Sequence, residues 1–177
     1  MTHTSFTRRA RILAWGACLT LAALPFLAAL SLWQGGLSEA QMREAFAHVT
    51  APADLARSAI WLFRLEAAIC FALVCWTFYL LYEWLEACGR GEAFQPDTAG
   101  YALRLGRVLL GLALLNVVGR TVIILALTWN NPPGQRSLAI GLEGADIMLL
   151  LAASVLTLFG WIQAEAARIA AENEGFV

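Results

Sequence analysis

The chain contains no lysine, only two histidines and few charges of either sign. Asp, Glu and Arg make up 14% of its 177 residues and apolar residues 60%, whereas an average soluble domain carries about 25% charged residues. Disordered chains combine low hydrophobicity with high net charge, so a formal net charge of −1 on so apolar a sequence excludes that class. A water-soluble globule is equally unsuited, because the few charges fall between long apolar blocks instead of alternating with them. All twelve basic residues are arginines scattered along the chain. No basic tract follows a nucleic-acid backbone, and direct nucleic-acid binding is not expected. His3 and His48 cannot form a haem-ligating pair across a bundle, and Cys18, Cys70, Cys75 and Cys88 match no zinc spacing. No metal and no cofactor is expected.

Four long apolar blocks are present instead. A hydrocarbon core of about 30 Å needs roughly 20 residues of helix, and residues 12–33, 58–85, 108–129 and 145–164 each meet that length. Helices satisfy their own backbone in lipid and an open sheet does not. The expected fold is therefore all-α: a polytopic membrane protein with four transmembrane helices in an antiparallel bundle, forming a single domain. Residues 34–57 form an outer loop, 86–107 an inner loop and 165–177 a tail. Arg8, Arg9, Arg11, Arg90, Arg104, Arg107 and Arg168 fall on one side, and Arg43, Arg57 and Arg136 on the other. By the excess of basic residues on cytoplasmic loops, both termini and the tail of this multi-pass protein are expected to be cytoplasmic. Trp33, Trp61 and Trp129 then mark the outer interface, and Trp84 and Trp161 the inner one. Thr7-Arg8-Arg9-Ala10-Arg11 loosely resembles a twin-arginine signal, but the block that follows is long enough to fill a membrane and reads as an anchored helix.

The loops carry pattern of their own. Ser38 with Gln41 makes a capping pair, Leu37 with Met42 a hydrophobic staple, and Met42, Ala45, Phe46 and Val49 recur at helical spacing. A short amphipathic helix is expected there, acting as a lid on the bundle or as a receiver of a ligand. Between the second and third spans, Gly89, Gly91 and Pro96 signal a tight turn and Asp97 a cap for the helix that follows. Pro25 is expected to kink the first span. Gly111, Gly119 and Ala113, with Ala152, Ala153 and Ser154, are expected to bring the third and fourth spans together. Packing within the bundle is the simpler use of these residues, and a homo-oligomer remains the alternative.

Gly91, Phe94, Leu103 and Gly106 in the inner loop, with the acidic, apolar-ended Ala171-Glu172-Asn173-Glu174-Gly175-Phe176-Val177, resemble the DUF2975 family of small bacterial integral membrane proteins. The resemblance spans nearly the whole chain. It implies four spans and no established activity. Members are often encoded beside a small helix-turn-helix regulator of the Xre/Cro type, so the resemblance implies such a regulator as a partner, contacted by Gly91, Phe94, Arg104, Gly106 and Glu172. The long outer loop and the absence of lysine depart from commoner members.

Ionisable groups inside a span are costly and are candidates for function. Glu66 and Arg120 lie at similar depth in helices of opposite direction, Asn116 is one turn from Arg120, and Arg64 is shallow enough to reach Asp146. These five form an expected intramembrane polar cluster. It serves either as a clamp fixing helix register or as a site for a ligand, proton or ion. No catalytic set assembles at one depth, so no enzyme is expected. Three functions follow: a sensor or sequestering partner of a cytoplasmic regulator, a small transporter or channel component, or a structural subunit of a membrane complex.

Overall fold

A computed structural model describes residues 3–47, 49, 57–93, 95–129, 131, 132, 140 and 142–174. Among the described residues five helices follow one another: α1 (His3–Trp33), α2 (Glu39–Ala45), α3 (Arg57–Gly89), α4 (Pro96–Thr128) and α5 (Gly144–Glu174). No strand occurs among the described residues. Four of the five are long and apolar enough to cross a membrane, and the fold is that of an all-α polytopic membrane protein. The long helices have 31 to 33 residues. At about 1.5 Å per residue they run roughly 46–50 Å, well beyond a hydrocarbon core of about 30 Å. Their polar ends therefore stand in the headgroup layers.

Neighbours pack in the order α1 on α3, α3 on α4 and α4 on α5, while α1 makes no backbone approach to α4 or α5 among the described residues. The buried residues of α1 are Ala10, Ala14 and Ala17, a stripe at helical spacing. Such small side chains let α1 lie close against α3, and large residues such as Leu19, Phe26 and Leu27 remain exposed for lipid contact. The helix continues through Pro25 without interruption. Antiparallel connection gathers Arg8, Arg9, Arg11, Arg90, Arg104, Arg107 and Arg168 at one end, with Arg57, Trp33, Trp61 and Trp129 at the other. Arg136 and His48 lie outside the described residues.

Two turns show how sequence sets chain direction. Helix α3 ends in a Schellman arrangement, in which the Gly91 N–H donates to the Cys88 carbonyl (3.1 Å) and the Glu92 N–H to that of Ala87 (3.0 Å). Gly91 occupies the left-handed region at φ 87°, where a side chain is strained. Helix α1 ends the same way at Gly35, also at φ 87°. The turn between α3 and α4 is consequently only residues 90–95, shorter than the expected inner loop, because α4 already begins at Pro96. Gln95, not Asp97, is the N-cap residue; Pro96 takes the first helical position and Asp97 lies in the first turn beside the positive end of the helix dipole. The Thr98 hydroxyl ties the turn down by donating to the Glu92 carbonyl at 2.7 Å.

Helix α2 forms as its caps predict: the Gln41 N–H donates to Ser38 Oγ at 3.4 Å, and the Leu37 N–H to Gln41 Oε1 at 2.8 Å. It lids the bundle. Met42 and Phe46 are buried with Ala59 of α3 and Ile123, Ile124 and Leu127 of α4. Helices α4 and α5 meet most tightly at Gly106, where an added Cβ would overlap Thr157 Oγ1 and stand 3.1 Å from the Ala153 carbonyl, and at Gly160 against Leu103. The expected glycines do otherwise: Gly111 has no neighbour within 4 Å of such a Cβ, and Gly119 faces α3. Helical periodicity alone did not reveal which glycines the crossing point selects.

Candidate functional site

The polar residues of the spans gather where α3, α4 and α5 adjoin, towards the Trp33 end. Arg120 stands eight residues before the end of α4 and Glu66 nine after the start of α3, so both lie roughly a dozen ångströms in from those ends. The first turn of α5 meets Arg120 at this depth. One guanidinium nitrogen, Nη1, lies 2.9 Å from Glu143 Oε1 and 3.5 Å from Asp146 Oδ2. The N-terminus of α5 is thus seated partway down α4 and not level with its end. That is why Asp146, expected to meet Arg64, meets Arg120 instead.

Asp146 is 1% exposed, whereas the Glu143 side chain is 62% exposed, so one guanidinium joins a buried carboxylate to a solvated one. Asp146 Oδ2 also accepts the Glu143 N–H at 2.9 Å, which closes the first turn of α5 in the manner of a capping box. Oδ1 of the same carboxylate is buried and has no hydrogen-bond donor among the described residues. Buried acceptors are nearly always satisfied, and one left bare is costly.

Glu66 packs its carboxyl group against the backbone of α4 at Gly119, where an added Cβ would lie 2.8 Å from Glu66 Oε1. The absence of a side chain there opens the space that Glu66 fills, and its charge interacts with that of Arg120. Asn116 is one helical turn away. Its Oδ1 accepts a hydrogen bond from the Cys70 thiol at 3.3 Å, a bond between α3 and α4 that cysteine spacing did not suggest. Arg64 belongs to another contact: its Nε donates to the Leu37 carbonyl at 3.2 Å and its guanidinium lies 5.5 Å from the centre of the Trp61 ring, joining α3 to the entry of α2. The structure therefore brings Glu66, Asn116, Arg120 and Asp146 into one region and places Arg64 on the lid. Glu143 completes the region and was missed, because in sequence it reads as a loop residue before the fourth span.

At the opposite end, the residues expected to contact a partner have separate roles. Gly91 forms the turn and Gly106 is buried against Thr157. Arg104 is exposed on α4, and Glu172 pairs with Arg168 at 2.6 Å on the exposed end of α5. Phe94 lies outside the described residues. The hydrogen bond from Arg90 Nε to Glu92 (2.9 Å) holds the Arg90 guanidinium more firmly in its charged form than usual. A pair missed in the sequence ties this end together: Trp84 Nε1 donates to Gln163 Oε1, and Gln163 Nε2 donates to the Ala93 carbonyl, each at 3.2 Å.

No protein-family model, curated protein or solved structure matches the chain.

Proposed function

We propose that this protein is a small membrane sensor, receiving a ligand at the Asp146 region and signalling through its arginine-rich end. The observation that carries this reading is Asp146 Oδ1, an acceptor buried beside Arg120 without a donor among the described residues. Arg120 and the Glu143 N–H account for Oδ2 as a structural clamp. They leave Oδ1 free to accept from the donor of a bound cation. Charge favours the same occupant, since among the described residues Glu143 and Asp146 pair with Arg120 and the charge of Glu66 also interacts with it, three acids to one arginine. The tight α4–α5 approach at Gly106 and Gly160 favours a receiver over a solute path between these two helices.

The excess of arginines at the other end orients it to the cytoplasm, so both termini are cytoplasmic in a bacterial inner membrane. Within this proposal the chain is a member of the DUF2975 family and its output is a small Xre/Cro-type regulator, held by Arg104 and the turn before α4. The input is tested by thermal unfolding in lipid nanodiscs against a panel of small primary amines, carboxylates and neutral analogues. An amine that raises Tm in the wild type and not in Asp146→Asn supports the reading. Equal responses in both proteins, or no response to any compound, overturn it.

A further inference from the structure

A second region, unrelated to the polar cluster, lies at the arginine-rich end where α1 stands away from α5. The gap is a cavity of about 580 Å³, walled by Phe6 and Leu13 of α1, Trp84 of α3, and Phe159 and Ile162 of α5. That volume is within the ~300–1,000 Å³ of a site for one small ligand. Its floor is finished by structure already described. The Gln163 amide is committed on both sides, to Trp84 and to the Ala93 carbonyl, and Ala10, Cys88 and Ala93 pack together beneath. The remaining polar group in the lining is the Arg9 guanidinium. Arg9 is exposed and has no carboxylate partner among the described residues.

These features define the occupant by chemistry. Apolar walls without spare donors or acceptors do not suit a peptide, whose backbone groups need partners. They suit a hydrocarbon chain. A single unpaired guanidinium at the rim suits a phosphate, which accepts its planar fork in two parallel hydrogen bonds. The length and hydropathy of α1 set this rim at headgroup level, and Arg8 and Arg11 beside it add positive charge at the same depth.

We infer that the gap between α1 and α5 is a binding site for one phospholipid of the leaflet at the arginine-rich end, with an acyl chain between Leu13 and Ile162 and the phosphate on Arg9. The lipid completes the contact that α1 and α5 do not make themselves. This inference needs only that the helices cross a bilayer, and it stands or falls apart from the sensor reading.

Native mass spectrometry of the delipidated full chain tests it, titrated with dioleoyl phosphatidylglycerol and, in parallel, with dioleoylglycerol, which has the same chains and no phosphate. One phosphatidylglycerol is expected to bind at least about tenfold more tightly than dioleoylglycerol, the span of a single charge-assisted hydrogen bond. Arg9→Gln removes that difference, and Arg57→Gln, at the other end, preserves it. Ile162→Trp fills the cavity and abolishes the tight phosphatidylglycerol site; circular dichroism and gel filtration establish that each variant is folded. Wild-type phosphatidylglycerol binding by Arg9→Gln overturns the inference. So does retention of the tight site in folded Ile162→Trp, or displacement of the lipid by water-soluble glycerophosphoglycerol, which has the headgroup alone.

Discussion

Replacing Arg120 by Met isolates the contact that seats α5 on α4. The side chain keeps much of its volume, but Asp146, 1% exposed, loses the guanidinium beside it. Removing one partner of a buried ion pair costs about 3–5 kcal/mol, most of it the penalty of an uncompensated buried charge. The low end applies here, since Asp146 Oδ2 retains the Glu143 N–H at 2.9 Å and Arg120 is itself 21% exposed. The expected loss is about 3 kcal/mol, on the order of 6–12 °C in Tm for a chain of this length. Asp146→Leu removes the buried charge altogether and leaves Arg120 on Glu143, so it costs about 1 kcal/mol, the worth of the first-turn cap. With no charge left buried and only the cap lost, Arg120→Met/Asp146→Leu should recover about 2 kcal/mol relative to Arg120→Met alone. Reversible unfolding in mixed micelles, followed by circular dichroism, gives all four values. If Arg120→Met melts within a degree of wild type, or if the two losses simply add, Arg120 does not neutralise Asp146 and the clamp is misassigned.

Other expectations follow from single positions. Gly106→Ala should cost about 1–3 kcal/mol by forcing α4 from Thr157 and the Ala153 carbonyl, whereas Gly111→Ala, which meets nothing, should be neutral or stabilise by up to about 1 kcal/mol; their melting temperatures in one detergent separate them. Gly91→Ala places a side chain at φ 87° and should cost about 1–2 kcal/mol, seen as faster amide exchange in residues 86–93. Met42→Ala should cost about 2–5 kcal/mol because Met42 is fully buried beneath the lid. Its mark is faster amide exchange in residues 39–45, with the far ends of α3 and α4 unchanged.

The spans were legible because hydrocarbon length and backbone satisfaction leave few solutions, and α2 was legible because Ser38 and Gln41 cap locally. Gly91 was readable as turn chemistry for the same reason. Relations between helices were less so. Gly106 and Gly160 carry the close approach that Gly111 and Gly119 advertised equally well, and only the crossing point of α4 and α5 distinguishes them. The pairing of Asp146 with Arg120 depends on how far down α4 the next helix begins, a distance that apolar periodicity does not encode. Glu143 and the bond between Trp84 and Gln163 had no local signal, being made by residues far apart in sequence or at a helix boundary.

Affinity purification of the tagged full chain in gentle detergent decides whether the arginine-rich end holds a cytoplasmic regulator under the influence of Asp146, as proposed. Wild type, Arg104→Gln and Asp146→Asn are compared by quantitative mass spectrometry, after gel filtration establishes that each is folded. A small DNA-binding protein is expected on the wild type, with its loss from Arg104→Gln and at least a several-fold change in its recovery with Asp146→Asn. No DNA-binding protein on folded wild type, or equal recovery on all three, would contradict it.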